Sequence, residues 1–278
     1  MRFGRLCAGA VALCLALAAC GGAQGGSAGP AGDGEAAPVQ LSPAQLVSAA
    51  TDKAQGLSTA RFTMKVATQL DTLNILIDAA GRVDTSTLSL VMTSKVRFGG
   101  DTLYMHKRVV DGIFFVEGLP DIPGWVRVDP DDLAGGLHIG LDLGQASDPT
   151  GMFALISALS EDVHEAGGAT VRGEHVTRYT GTLNVAKAIG AAPSDSDPLR
   201  KLEQQARSMG FTTAPFTVYV DDRGLPARVQ LTMTSSGTAD SLVSKVTTTQ
   251  DYYDWGVPVT VRVPAGAKPM DQPLDLLK

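Results

Sequence analysis

The sequence predicts an α+β fold: one large curved antiparallel sheet, a half-barrel of about 10–11 strands, with helices on its concave face. Two observations carry this reading. Between residues 61 and 128, and again from 169 onward, apolar residues recur with period 2 and are punctuated by Gly and Asp turn signals. In two places, after 148 and after 185, the pattern becomes helical. Residues 41–278 read as a single domain, preceded by a signal peptide at 1–19 and a flexible segment at 20–40.

The domain opens on a helix. Ser42 supplies a cap and Pro43 suits the first helical position, while Leu46, Val47, Ala50 and Ala54 fall on one face and Gly56 is expected to end it. Three half-buried strands follow, carrying Phe62, Met64 and Val66, then Leu73, Ile75 and Ile77, then Leu88, Leu90 and Met92. The second alternates less cleanly, because Leu76 stands on the polar phase, and its register is therefore open. Short strands are predicted at Val96–Phe98, Leu103–Val109, Ile113–Val116 and Trp125–Val128, separated by Gly99-Gly100, Asp111-Gly112 and Pro120 to Gly124.

Asp148-Pro149 can open a helix with an apolar stripe of Met152, Phe153, Leu155, Ile156, Leu159 and Val163, closed by Gly167-Gly168. Ala169 to Leu183 returns to strand, and Val185 to Ser208 to an interrupted helix. The clearest hairpin sets Phe216, Val218 and Val220 against Ala227, Val229, Leu231 and Met233 across the turn Asp221-Asp222-Arg223-Gly224. Strands at Ser241–Tyr253 and Val257–Val263 complete the reading.

The first residues have the pattern of a signal peptide: Arg2 and Arg5, an apolar run from Leu6 to Leu17, then Leu17-Ala18-Ala19-Cys20. The run is shorter than the roughly 20 residues a membrane span requires. Small residues before Cys20 allow cleavage that leaves this cysteine at the mature N-terminus, where its thiol is the expected site of lipid attachment. Gly21 to Pro38 is almost wholly Gly, Ala, Ser, Pro and acids, the composition of a tether that cannot bury enough apolar surface to fold. The expected location is extracytoplasmic, on the cell membrane. Cys7, Cys14 and Cys20 are the three cysteines, so a chain beginning at Cys20 has no disulfide to rely on. Such a chain keeps 21 of the 23 basic residues against 29 acidic ones, a net charge near −8 that argues against a nucleic-acid partner.

Catalytic signatures are missing from the sequence. It holds no Gly-x-Ser-x-Gly elbow, no His-Glu-x-x-His pair and no glycine-rich phosphate loop. His106, His138, His164 and His175 are scattered at spacings that suit no common metal site, and no cofactor is expected. Asp129-Pro130-Asp131-Asp132 and Asp221-Asp222 lack the alternating oxygen ligands of a calcium loop and read as turns. The strand meanders also differ from the two α/β lobes of a solute-binding subunit.

The apolar faces of sheet and helices should meet. Met64, Met92, Met105, Met152 and Met233 suit either a plain core or a surface that adapts to varied apolar shapes. Here the chain resembles the LppX and LprG type of actinobacterial lipoproteins, whose fold is similar to that of the LolA carriers. The resemblance is carried by Leu17-Ala18-Ala19-Cys20, Ala60-Arg61-Phe62-Thr63, Gly124-Trp125-Val126-Arg127-Val128, Val218-Tyr219-Val220-Asp221 with Gly224-Leu225-Pro226, and Tyr252-Tyr253-Asp254-Trp255-Gly256-Val257-Pro258-Val259. It covers nearly all of the chain after Cys20 and rests on the order of the pieces. It implies a non-catalytic monomer that holds lipid or glycolipid acyl chains in a hydrophobic cavity, with a membrane exporter as candidate partner. Phe62, Met64, Ile75, Ile77, Leu90, Met92, Met105, Phe114, Phe153, Ile156 and Leu159 are the expected lining. The rival reading is an envelope protein with a solid core that docks a membrane protein.

Overall fold

A computed structural model of the chain describes residues 41–70, 73–128, 156, 162–184, 213–235 and 243–270. By its contacts the chain divides into two units, Met1–Val39 and Gln40–Lys278, and the second holds every described residue.

The first element is helix α1 (Pro43–Leu57). Its start is a capping box: the Ser42 hydroxyl accepts from the Gln45 amide at 3.3 Å, and the Ser42 amide donates to Gln45 Oε1 at 2.8 Å. The helix runs past Gly56. It ends at Ser58, which takes a left-handed conformation (φ 55°) and donates its amide to the carbonyls of Ala54 and Gln55. Val47, Ala50, Thr51 and Ala54 are its buried side, turned toward the second half of the sheet.

Two antiparallel meanders follow. The first comprises β1 (Thr59–Leu70), β2 (Asn74–Asp84), β3 (Ser89–Phe98), β4 (Asp101–Val110), β5 (Ile113–Glu117) and β6 (Val126–Val128). The second comprises β7 (His164–Val171), β8 (Glu174–Asn184), β9 (Thr213–Asp221), β10 (Pro226–Thr234) and β11 (Val243–Tyr253). A short β12 (Lys268–Pro269) pairs in parallel with β6. Together they make one open sheet of twelve strands, in the order β12-β6-β5-β4-β3-β2-β1-β11-β10-β9-β8-β7. The meanders are joined where β1 pairs with β11, from Arg61 opposite Tyr253 to Gln69 opposite Lys245.

Several expectations are corrected. The segment Val96–Phe98 is the end of β3, not a separate strand. Gly167-Gly168 lies inside β7, where the register shifts between Glu165 and Gly168, and Ala169 to Leu183 is split between β7 and β8. Val257–Val263 is not a strand. Pro258 and Pro264 have no amide to give a ladder, and the stretch makes no strand pairing until Lys268 and Met270 donate to the carbonyls of Trp125 and Arg127. Among the described residues the sheet has twelve strands, against the expected 10–11. The register left open at Leu73–Ile77 is clean: Ile75 and Ile77 are buried and Leu76 is exposed. Of the predicted helical segments, 148–163 and 185–208 lie outside the described residues apart from Ile156, Asp162 and Val163, and the last two precede β7 without helix. Among the described residues, α1 is the one helix with a defined span, so the layer of helices over a concave face belongs to the expectation and the large antiparallel sheet to the structure.

Two strand glycines show how tightly the buried face is built. Gly81 is registered opposite Phe62, and Gly181 opposite Phe216. A Cβ on Gly81 would lie 2.3 Å from the Val91 carbonyl oxygen and 2.8 Å from the Phe62 ring, and one on Gly181 2.7 Å from the Phe216 ring. Each phenyl therefore occupies the space its glycine leaves. Gly81→Ala is expected to destabilise the fold by about 2–3 kcal/mol, because a backbone oxygen has to move. Gly56→Ala, on the exposed side of α1 with no neighbour within 4 Å, should instead stabilise by about 0.5–1 kcal/mol. Urea denaturation of the two variants checks the opposite signs.

Tyr179 on β8 is buried on the same face. Burial first, and then the charge of Glu165 opposite it on β7, push its phenol above the ordinary value of 10.0. The unfolded chain therefore ionises first, so this residue's contribution is intact below pH 10 and declines as pH rises through the folded value. Tyr179→Phe should flatten the alkaline loss of stability above pH 10 and leave the pH dependence at neutral pH unchanged; melting curves taken between neutral and strongly alkaline pH test both parts.

Candidate ligand-binding face

Strand alternation places one side chain in two on a common face, and antiparallel register aligns those side chains into rows across the sheet. The central row runs Tyr179, Val218, Val229, Gln250, Met64, Ala79, Ser94, Met105, each directly paired with the next. Its middle is made of small side chains, Ala79 and Ser94, flanked by the flexible thioethers of Met64 and Met105. Parallel to it run Tyr252, Phe62, Gly81, Met92, Lys107 and Val116 on one side and Thr248, Val66, Ile77, Val96 and Leu103 on the other.

Eight of the expected lining residues are brought together here. Phe62, Met64, Ile75, Ile77, Leu90, Met92, Met105 and Ile156 are buried members of one apolar cluster, and Phe114 packs half-buried against it. Phe153 and Leu159 lie outside the described residues, as does Cys20. Val47 and Ala50 of α1 belong to the same cluster. So does a set the sequence reading left off the list, including Tyr179, Leu183, Phe216, Val218 and Val229 from the second meander. The alternation of Phe216, Val218 and Val229 is visible in the hairpin around Asp221; that the whole set shares a face with Phe62 follows only from the β1–β11 pairing.

Polar groups interrupt this face. Thr68, Ser94, Lys107 and Gln250 are all buried on it. Lys107 lies on the apolar phase of β4, between Met105 and Val109, and its ammonium sits 4.7 Å from the centre of the Phe114 ring, a cation–π arrangement. On the opposite phase the charges pair across strands: Arg228 donates to both carboxylate oxygens of Asp251 at 2.5 and 2.7 Å, which holds its guanidinium even more firmly protonated than usual.

The remaining candidate chemistry sits in turns and on exposed edges. The Asp221 carboxylate accepts from the amides of Arg223 and Leu225 and from the Arg223 guanidinium, closing the β9–β10 turn. His175 Nδ1 lies 3.1 Å from Asp222, and His164 contacts Thr180 and the Asp162 carbonyl; His106 is exposed on β4. His138 and Asp129–Asp132 lie outside the described residues. Among the described residues no group of three or more His, Cys, Asp or Glu is placed to hold a metal, and no helix is long and apolar enough to cross a membrane.

This architecture is found in solved proteins. The crystal structure of LprF from Mycobacterium bovis superposes with a TM-score of 0.50 at 17% sequence identity, covering 81% of this chain and 97% of that one. LppX from Mycobacterium tuberculosis gives a TM-score of 0.47 at 13% identity, covering 79% of this chain and 98% of that one. A search of curated protein sequences returns no match. The model of the LppX_LprAFG lipoprotein family matches residues 42–261, from the cap of α1 to the extended stretch beyond β11, and the chain therefore belongs to that family.

Proposed function

We propose that this protein is a cell-envelope lipoprotein, tethered to the outer side of the cell membrane through lipid on Cys20, that binds lipid acyl chains against the apolar face of its sheet and carries or presents them across the envelope. The observation that supports this most is the central row, where Ala79 and Ser94 form a low strip between Met64 and Met105. Such a strip leaves depth for a hydrocarbon chain, and thioethers adapt to its shape. Each methylene transferred from water contributes about 0.8 kcal/mol, so binding needs no covalent chemistry. The proposed lining is Phe62, Met64, Ile75, Ile77, Leu90, Met92, Met105, Phe114, Phe153, Ile156 and Leu159. The ligand is a lipid or glycolipid, the protein acts as a monomer, and a membrane exporter is the candidate partner that receives or delivers the cargo.

The rival, an envelope protein with a solid core that docks a membrane protein, is favoured by the near-complete burial of the same side chains. Ala79→Phe separates the two. In a carrier the new ring fills the strip, so the protein stays folded and retains at least tenfold less acyl lipid after purification from a lipid-rich actinobacterial host, as read by native mass spectrometry. In a solid core the same ring overpacks and destabilises by about 1–3 kcal/mol or more, with no lipid in the parent protein to lose. Met92→Asp, which sets a charge on the face, is likewise expected to abolish lipid retention.

A further inference from the structure

Among the described residues, two buried side-chain polar atoms have no hydrogen-bond partner: Gln250 Nε2 and Thr68 Oγ1. Both residues are almost fully buried, at 3% and 2% exposure. Both lie on the apolar face, and on the same seam, Gln250 on β11 opposite Met64 and Thr68 on β1 opposite Val246. By contrast, the buried Thr51 hydroxyl donates to the Val47 carbonyl, and the buried carboxylates of Asp221 and Asp251 are bonded to arginines. An unpaired donor lowers stability, and an apolar residue of like size would avoid that loss. Two such donors on the face that takes the ligand point to a ligand that pairs with them.

Their chemistry narrows what that ligand offers. Amide and hydroxyl are neutral, and Gln250 is flanked across the strands by Met64 and Val229. A carboxylate or phosphate brought there would be a bare charge among apolar groups. An ester carbonyl suits the place, since it only accepts and carries no charge. Resting on the acyl-chain reading above, we infer that Gln250, with Thr68 as a second donor, hydrogen-bonds the ester carbonyls of an acylated ester lipid, so that the ester region sits on the β1–β11 seam and the chains spread from it over the face. Gln250 thus selects ester-linked lipids over ether-linked ones of equal chain length.

The test uses the full chain carrying Cys20→Ser, which has no acyl group of its own to compete, after organic extraction of bound lipid. The probes are dipalmitoyl phosphatidylcholine and its dihexadecyl ether analogue, which lacks both carbonyls. The expected result is about five- to tenfold tighter binding of the ester lipid, the scale of one neutral hydrogen bond, with Gln250→Met erasing the preference by weakening ester binding alone. Thr68→Val should reduce it in the same direction. Ligand-free Gln250→Met should melt at a higher temperature than the parent; a lower one would assign Gln250 a structural role and overturn the inference. Equal binding of both probes by the parent, or a preference that survives both substitutions, would also overturn it while leaving the acyl-chain reading standing. If the folded parent binds neither probe, that reading falls and this one with it.

Discussion

The ladder between β1 and β11 is the interaction on which the rest depends. It pairs residues about 175–190 positions apart, and among the described strands it is the ladder that joins the meander β1–β6 to the meander β7–β11. Closing so long a loop is entropically costly, and only the gain from a shared apolar face offsets it. Several contacts brace the ladder where it ends. Tyr252 stacks on Trp255 with centroids 5.6 Å apart, the Trp255 indole donates to the Pro226 carbonyl, and the Gly256 amide donates to Thr59. The Arg228–Asp251 pair fastens β10 to β11 on the opposite face. A slip of one residue in this ladder would turn Phe62, Met64 and Val66 to the polar side and split the rows that cross the sheet.

That same ladder gives the candidate site its form. Phe62 over Gly81 and Phe216 over Gly181 stand on either side of the seam, one in each meander, and each covers a glycine whose missing side chain makes room for the ring. Between them the central row passes from Val229 through Gln250 to Met64 and on to Ala79 and Ser94. Large rings and small side chains therefore alternate in relief over one surface. Relief of this kind, with neutral donors at the seam, is a property of two halves in register, and neither meander has it alone.

The edges of the sheet are handled differently at its two ends. The β7 edge carries Gly167-Gly168 and a register shift, which disfavours addition of a further strand. At the other end the chain beyond β11 returns past Arg108, whose guanidinium donates to the Arg262 carbonyl and lies 4.8 Å from the Trp125 ring centre, and pairs with β6 at Lys268–Pro269. Alternating exposure along 257–262 explains why Val257–Val263 reads as a strand: periodicity reports which side chains face the protein, and here an extended chain is half-buried without a ladder partner.

What the sequence by itself determined is local. Period 2 identified the faces of β1 to β3 and of the β9–β10 hairpin, and with them many of the apolar residues of the candidate face, because each strand has one wet side and one dry side. Ser42 and Pro43 marked the start of α1, and the Asp221 turn was readable from its carboxylate and Gly224. Tertiary structure alone decided which strands neighbour one another across the middle of the sheet, since the β1–β11 pairing has no local signal. It therefore also decided that Tyr179, Phe216 and Val229 share a surface with Met64, that Lys107 lies on the apolar side, and that Gln250 and Thr68 are shut away from water. A polar residue in a strand reads as solvent-facing until its partners on both sides are known, and those partners come from the far end of the chain.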